Sequence, residues 1–393
     1  MNGTIYMPVG EVCSSISDTY REKKNMVTII NTSDVLEGRV LNHERVPNSN
    51  LKGQFKKTFQ RDDILYSEIR PQNRRFAYVD FSPIDYIAST KLMVIRAKKD
   101  VVSPKYLYYF LKNSSTVAEL QLLAETRSGT FPQITFSEVA NLTIPVPSLD
   151  VQEVIVQTMQ CLEDKITCNE QINDNLEQQA QSYFQELFVD NADPEWAIGT
   201  ISDLGTVVGG STPSKAKPEY YTESGIAWIT PKDLSINKSK FVSHGENDIT
   251  ELGLKNSSAA IMPEGTVLFS SRAPIGYIAI AAGEVTTNQG FKSVVPKPEI
   301  GTPFVYFFLK NTLPVIEGMA SGSTFKEVSG STMKNVPAVI PDAETLAKFS
   351  DFCAPIFAQQ RILEEQNQSL ATLRDNLLPK LMSGEIDVSA VQL

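Results

Sequence analysis

Side chains able to do covalent or metal chemistry are scarce in this chain of 393 residues. Its two histidines, His43 and His244, sit in polar stretches and are expected at the surface, without Cys or His neighbours at metal-ligand spacing. A serine or cysteine hydrolase needs a histidine base, and neither context offers one. There is no Gly-x4-Gly-Lys-Ser/Thr phosphate loop, so no ATP motor is encoded. The chain also lacks any Pro-Pro pair, and with it the Asp/Asn-Pro-Pro-Tyr/Phe run of an adenine methyltransferase. Asp18 and Glu22-Lys-Lys24 lie too close together for nuclease carboxylates held on separate strands. What remains is hydrogen-bonding chemistry. In the first half the candidates are Arg70, Arg74, Arg75, Arg127, Ser128, Gly129, Thr130 and Gln133. In the second half they are Gly209, Gly210, Ser211, Thr212, Ser214, Lys215, Lys232, Arg272, Asn288, Gln289, Ser323, Thr324 and Lys326. Guanidinium forks and planar amides make paired hydrogen bonds to planar partners. Ser, Thr, Lys and glycine backbone amides suit anions such as phosphate.

These residues fall at places where the chain repeats itself. Tyr106-Leu-Tyr-Tyr-Phe-Leu-Lys-Asn113 matches Phe304-Val-Tyr-Phe-Phe-Leu-Lys-Asn311. Asp63-Ile-Leu-Tyr-Ser67 matches Gly265-Thr-Val-Leu-Phe-Ser270, each followed by an arginine and a proline (Arg70-Pro71; Arg272-Ala-Pro274). Ser128-Gly-Thr-Phe131 matches Ser321-Gly-Ser-Thr-Phe325, and Ile29-Ile-Asn-Thr-Ser-Asp34 matches Trp228-Ile-Thr-Pro-Lys-Asp233. The pairs are collinear, which chance does not produce. Plain structural roles compete at several positions. Arg74-Arg75 also reads as a solvated pair, Gly209-Gly210 as a turn, Trp228 as core, and Tyr108, Tyr109, Phe307 and Phe308 as the buried face of helices. The Thr-Pro-Lys-Asp run also reads as turn-forming.

The elements that must position these loops follow from pattern. Residues 148–190 and 342–384 are poor in Gly and Pro and rich in Glu, Gln, Asn and Leu, and read as long helices. Leu363, Asn367, Leu370, Arg374, Leu377 and Leu381 fall at alternating spacings of four and three, as do Asn169, Asn173, Leu176, Ala180, Tyr183 and Leu187. That is a coiled-coil seam weakened by polar residues, in which Asn173 and Asn367 are expected to set alignment. Asp150-Val-Gln-Glu153 and Thr135-Phe-Ser-Glu138 read as capping boxes, with Pro341-Asp342 at the junction equivalent to the first. Short β-rich runs such as Met93–Arg96 and Gly276–Ala281 alternate with a helix at Lys105–Lys112. The expected fold is α+β: two globular domains in tandem repeat, separated by two long helices forming an antiparallel coiled coil, with pseudo-two-fold symmetry. The expected boundaries are 1–147, 148–190 (spacer), 191–341 and 342–393 (spacer). A continuous 148–190 helix would span roughly 65 Å, enough to separate two domains by one or more DNA turns of about 34 Å.

Charge is distributed to match. The net charge is −10. Residues 148–195 carry one Lys or Arg against 11 acids, and residues 342–393 carry four against eight. Residues 1–147 carry 19 against 15, and residues 196–341 carry 12 of each, so both large segments could approach phosphate. No apolar run is long enough to span a bilayer, residues 1–10 lack a signal-peptide pattern, and the four cysteines show no framework spacing. A cytoplasmic protein with no membrane partner is expected.

Thr206-Val-Val-Gly-Gly-Ser-Thr-Pro-Ser-Lys215, Pro218-Glu-Tyr-Tyr221, Ile226-Ala-Trp-Ile-Thr-Pro-Lys-Asp-Leu234 and Leu377-Leu-Pro-Lys-Leu-Met-Ser-Gly-Glu-Ile386 resemble the specificity (S) subunits, the HsdS family, of type I restriction-modification systems. The resemblance spans the whole chain. The first half departs from it, with Ser14-Ser-Ile-Ser-Asp18 where the family has Gly-Gly-Thr-Pro. It implies two target-recognition domains, each reading one half of an asymmetric, bipartite site in double-stranded DNA, and helices that set the spacing. It implies as partners two modification (methyltransferase) subunits and restriction (ATP-dependent translocase/endonuclease) subunits. No cofactor is expected in this chain. S-adenosylmethionine, ATP and Mg2+ belong to the partners. In such a protein the arginines would favour guanine and the amides adenine. Two other readings remain open at this stage: a scaffold whose domains no longer read DNA, and a self-contained restriction enzyme.

Overall fold

The computed structural model describes residues 4–49, 51, 53–126, 132–322 and 326–388. The chain divides into two compact units, 1–166 with 369–393, and 167–368. Each unit therefore holds one globular domain and a length of both long helices.

In the first unit the elements run β1 (Ile5–Pro8), α1 (Val9–Val12), β2 (Cys13–Ile16), β3 (Met26–Ile30), β4 (Val46–Pro47), β5 (Phe55–Lys57), β6 (Ile64–Ser67), β7 (Phe76–Tyr78), β8 (Tyr86–Ser89), β9 (Leu92–Ala97), α2 (Pro104–Lys112), α3 (Ser114–Glu125), α4 (Phe136–Asn141) and β10 (Thr143–Val146). The main sheet is antiparallel in the order β2-β9-β6-β7, and a second sheet runs β4-β3-β8-β5. β6 is buried along its whole length. Alternation then sends its residues to two cores. Ile64 and Tyr66 join Met93, Ile95 and the α2 residues Tyr106–Leu111, while Leu65 joins Leu92 and Val94 on the other face. Ser103 precedes α2 and Pro104 occupies its first turn, where the missing N–H costs nothing. α4 carries the expected capping box, with Thr135 N–H donating to Glu138 Oε2 at 2.8 Å. β1 and β10 pair antiparallel and close the domain at its base.

Asp63 is fully buried at the start of β6 and accepts two 2.7 Å hydrogen bonds, from Arg96 Nε and Nη2. Removing the guanidinium leaves a buried carboxylate without its cation. Arg96→Ala is expected to cost the first unit about 3–5 kcal/mol, read by denaturant unfolding of the variant against the parent chain.

The second unit repeats this order: β11 (Ala197–Thr200), α6 (Ile201–Leu204), β12 (Gly205–Gly209), β13 (Trp228–Ile229), α7 (Pro231–Ile236), β14 (Phe241–Val242), β15 (Val267–Ser271), β16 (Ile275–Ala281), β17 (Thr286–Thr287), β18 (Lys292–Pro296), α8 (Thr302–Met319), α9 (Gly330–Lys334) and β19 (Pro337–Ile340). Its sheet is β12-β18-β15-β16-β14, the first four strands matching β2-β9-β6-β7, with β14 added in parallel. The parallel pair β3·β8 returns as β13·β17, and the ribbon β1·β10 as β11·β19. Val267 and Phe269 face the α8 core, and Leu268 faces the opposite one.

The helix α5 runs Leu149–Gln185 and continues as a wider turn through Glu186–Asp190, and α10 runs Ala343–Ser383. Asp150 lies inside the first turn of α5 rather than capping it, because the helix starts at Leu149. Buried Gln152 ties down that end instead: its amide donates to the Pro147 and Val101 carbonyls and accepts from Ser103 N–H. Asp342 caps α10, accepting from Thr345 N–H at 2.9 Å.

Within the second unit Asn169 meets Asn367, Glu177 meets Gln360, and Phe184 meets Phe349, so the helices run antiparallel. Asn367 pairs with Asn169, whose Nδ2 donates to it at 2.8 Å. Asn173, expected to share the aligning role, gives its backbone carbonyl to Gln360. Within the first unit Ile155, Val156, Met159 and Leu162 meet Leu377, Leu378, Leu381 and Met382.

One polar cluster fixes the second domain to its helices. Lys240, just before β14, is almost fully buried with its ammonium 3.5 Å from the centroid of the Phe357 ring. It donates to Glu177 at 2.7 Å and Gln360 at 2.9 Å. Glu177 also accepts from Lys310 at 2.5 Å and Tyr306 at 3.1 Å. Glu364 accepts the backbone N–H groups of Lys240 and Phe241. Burial draws the Lys240 ammonium down to about 8, against the pull of Glu177. Burial alone would raise the Glu177 carboxyl, but Lys240 and Lys310 hold it down at about 2.

Candidate nucleic-acid interface

In the second unit four segments that are remote in sequence meet at one end of the sheet. Gly210 and Ser211, leaving β12, bond through their N–H groups to the Phe291 and Thr287 carbonyls at 3.4 and 2.8 Å. Ser271, ending β15, donates its N–H to Gly290 at 2.7 Å, and Val328 donates to Ser271 at 3.0 Å. Ser321 and Glu327 exchange backbone hydrogen bonds at 3.1 and 2.9 Å, closing the fourth segment. Ten of the candidates are brought to these segments or against them.

Thr212 hydrogen-bonds Gln289 across two of them. Asn288 uses its Oδ1 to accept from Gly290 N–H at 2.8 Å, so this amide holds its own turn. Ser211 Oγ accepts from Ser258, and its carbonyl takes the indole N–H of buried Trp228 at 3.0 Å. Ser214, Lys215 and Lys326 are exposed. Lys232 sits on α7, whose Thr230-Pro-Lys-Asp233 run is a capping box, and it pairs at 2.5 Å with Glu246. Both partners are well exposed, and such a pair yields readily to a competing anion. Arg272 and Lys292 flank Glu327, at 3.5 and 3.8 Å. Burial pulls the Lys292 ammonium down, Glu327 pulls it back up, and Arg272 adds to the lowering. Ser323 and Thr324 lie outside the described residues.

The two glycines differ in kind. A Cβ on Gly210 would run into the Asn288 carbonyl and Thr287, whereas a Cβ on Gly209 would meet only Lys292 Cδ, at 3.9 Å. Gly210→Ala is expected to force the first and second segments apart at a cost of about 1–3 kcal/mol. Gly209→Ala should leave stability within about 0.5 kcal/mol of the parent. Thermal unfolding of the two variants side by side checks the contrast.

The first unit builds the same junction. Leu92 is paired with Ser67 where Phe291 is paired with Ser270, and Ile95 with Ile64 where Val294 is paired with Val267. Glu68 N–H donates to Lys91 at 3.0 Å and Ile134 N–H to Glu68 at 2.9 Å, reproducing the Ser271–Gly290 and Val328–Ser271 bonds. Arg70 and Ala273 both have positive φ, 45° and 49°, and both precede a proline. By this register Gln133 stands where Glu327 stands. Gln133 accepts from Lys91 at 3.3 Å, and Lys91 also reaches Glu68 at 3.4 Å. Arg70 is exposed at the tip, its N–H on the Pro132 carbonyl. Arg74 donates to Ser114 at 2.9 Å, and Arg75 to the Ser33 and Val35 carbonyls, so both are tied to their own domain. Arg127, Ser128, Gly129 and Thr130 lie outside the described residues.

Sequence reasoning passed over Lys91, Glu68, Lys292 and Glu327. The signal was present in register. Glu68 follows Ser67, Lys91 precedes β9, Lys292 opens β18, and Glu327 lies two residues after Phe325 of a repeated run, and the sheet pairing brings these positions into register. Both histidines are exposed, as expected. Among the described residues no group of three or more His, Cys, Asp or Glu could hold a metal ion. No described helix is long and apolar enough to cross a membrane.

The family model for the type I restriction modification DNA specificity domain matches residues 6–178 and again 194–373. The HindI type I restriction enzyme specificity subunit of Haemophilus influenzae is 29% identical over 435 residues, covering 92% of this chain and 94% of that protein. The MjaIX specificity subunit of Methanocaldococcus jannaschii is 39% identical over 194 residues, 47% of this chain and 45% of that one. The crystal structure of the type I restriction-modification S subunit from M. genitalium has the same fold, with a TM-score of 0.57 at 17% identity, covering 99% of this chain and 98% of that one.

Proposed function

Because the chain belongs to the type I restriction-modification DNA specificity family, we propose that, as the DNA-recognition subunit, it reads a bipartite, asymmetric site in double-stranded DNA, one half with each unit. The observation that carries this is the repeated junction: the same frame of backbone bonds holds Gln133 with Lys91 and Glu68 in one unit, and Glu327 with the nearby Arg272 and Lys292 in the other. One framework holding two different donor and acceptor sets suits two different half-sites. Lys215, Lys232 and Lys326 would hold phosphates and fix register, a role that carries no base information.

The chain itself would be non-catalytic. It would hold two copies of a modification subunit, because two like units offer two like surfaces to one partner, and would bring restriction subunits to the same DNA. S-adenosylmethionine on the modification subunits and ATP with Mg2+ on the restriction subunits would supply the chemistry, in the cytoplasm. The test is to co-express the chain with its modification subunit in a host free of other methylases, and to sequence the genomic DNA for modified adenines. A split motif with a fixed gap, present only when this chain is present, is expected. Modification at unsplit or random positions would overturn the reading.

A further inference from the structure

The two junctions differ most sharply at one repeated position, Gln133 in the first unit and Glu327 in the second. The inference drawn from it rests on the DNA-reading assignment above. A carboxylate is an odd group to place on a surface that meets DNA. Phosphates repel it, so it cannot serve the backbone contacts that dominate affinity. Glu327 is nonetheless held at the centre of the second unit's junction. Its backbone is locked to Ser321 at both N–H and carbonyl, and Arg272 and Lys292 flank its two carboxylate oxygens. Its side chain keeps 39% of its surface exposed, and that of Arg272 keeps 37%, so both can still reach a partner. A point that repels phosphate but carries open acceptor lone pairs beside an open guanidinium is matched by the edge of a base pair. In the major groove the carboxylate complements the exocyclic amino group of cytosine, and the guanidinium the O6 and N7 of guanine.

At the equivalent place the first unit has an amide. Gln133 has both an acceptor and a donor. Its Oε1 already takes Lys91 at 3.3 Å, which leaves that oxygen a second lone pair and, among the described contacts, leaves the amide NH2 open. This is the set that spans N6 and N7 of adenine. We propose that Gln133 and Glu327 are one repeated base-reading position, at which Glu327 with Arg272 selects a C·G pair and Gln133 selects adenine.

The test uses the full chain with its modification subunit and reads the modified motif. Glu327→Gln is close to isosteric, and Arg272→Gln marks which half-site belongs to the second unit. The parent motif is expected to hold a C·G pair in the half altered by R272Q. E327Q is expected to lower discrimination at that pair by roughly ten- to a hundredfold, shifting it toward A·T, with the other half unchanged. Gln133→Glu is expected to act in the other half alone. Thermal unfolding of each variant, with binding of oligonucleotides carrying each base pair at the position, separates a reading effect from misfolding. An unchanged motif in both E327Q and Q133E, or a parent half-site without a C·G pair, would overturn the proposal. A parent complex that modifies no split motif would instead overturn the DNA-reading assignment on which it rests.

Discussion

Glu177→Ala is expected to destabilise the second unit by about 3–5 kcal/mol, the cost of leaving a buried charge without its partner. Lys240 has almost no access to water, and among the described contacts its ammonium finds one carboxylate, one amide oxygen and the faces of three rings. Glu177 is also the acceptor for Lys310, Tyr306 and Gln360, so its loss takes one acceptor from four donors at once. Both groups titrate below their ordinary values, for different reasons. Burial lowers the Lys240 ammonium against the pull of Glu177, with Lys310 adding to the lowering, whereas the two ammoniums facing the Glu177 carboxylate together outweigh its burial. The sign of the pH effect follows. A carboxyl held at about 2 in the folded chain, against an ordinary 4.5, contributes stability that is fully present above about 4.5 and is lost as pH falls toward 2. Urea unfolding from pH 6 to 3 should therefore show the parent losing stability on acidification, and the Ala variant losing less because it starts without that contribution. Equal acid slopes would remove Glu177 from the account.

The triple change Lys215→Gln, Lys232→Gln and Lys326→Gln is expected to weaken DNA binding of the assembled complex without altering the motif it reads. All three lysines are exposed, and Lys232 is engaged only by an equally exposed Glu246 among the described contacts. Each phosphate contact contributes close to one to the slope of log K against log salt. Losing three should make that slope shallower by about three. At about 0.1 M salt the affinity should fall by roughly a few hundredfold, a factor of about eight per contact. The loss should be the same for cognate and unrelated DNA, which sets these residues apart from Glu327 and Arg272. Binding titrations at several salt concentrations, on both kinds of DNA, measure the two quantities together.

The tandem fold was legible because it is written in local pattern. The matched runs Asp63–Ser67 and Gly265–Ser270 mark equivalent places in the two halves, where the fold has strands with two buried faces, and the four-and-three spacing of Leu363 to Leu381 places a helix seam. What was hidden depends on partners far away in the chain. Lys240 reads as one more polar residue in Asn237-Lys-Ser-Lys240 until Phe357, Tyr306 and Glu177 close around it from 63 to 117 residues away. Arg74-Arg75 looks like a basic reading pair, yet Ser114 and the Ser33 carbonyl hold both. Asp150 looks like a cap because it follows Pro145-Val-Pro147, but the helix starts two residues earlier than that cap would give, at Leu149, and buried Gln152 ties that end down with three hydrogen bonds. The equivalence of Gln133 and Glu327 is easy to miss because the two residues differ, although each stands two residues after the phenylalanine that ends a matched run, Phe131 and Phe325. Strand register shows that the two positions correspond.

If each unit reads its own half-site, exchanging a unit must exchange a half-site. The most direct test replaces residues 191–341 with a second copy of residues 1–147, co-expresses the chimera with the modification subunit, and maps modified adenines. A split motif is expected whose two halves are inverted copies of one parental half-site, with the other half gone. A motif that keeps both parental halves, or that acquires a half unrelated to either, would contradict it.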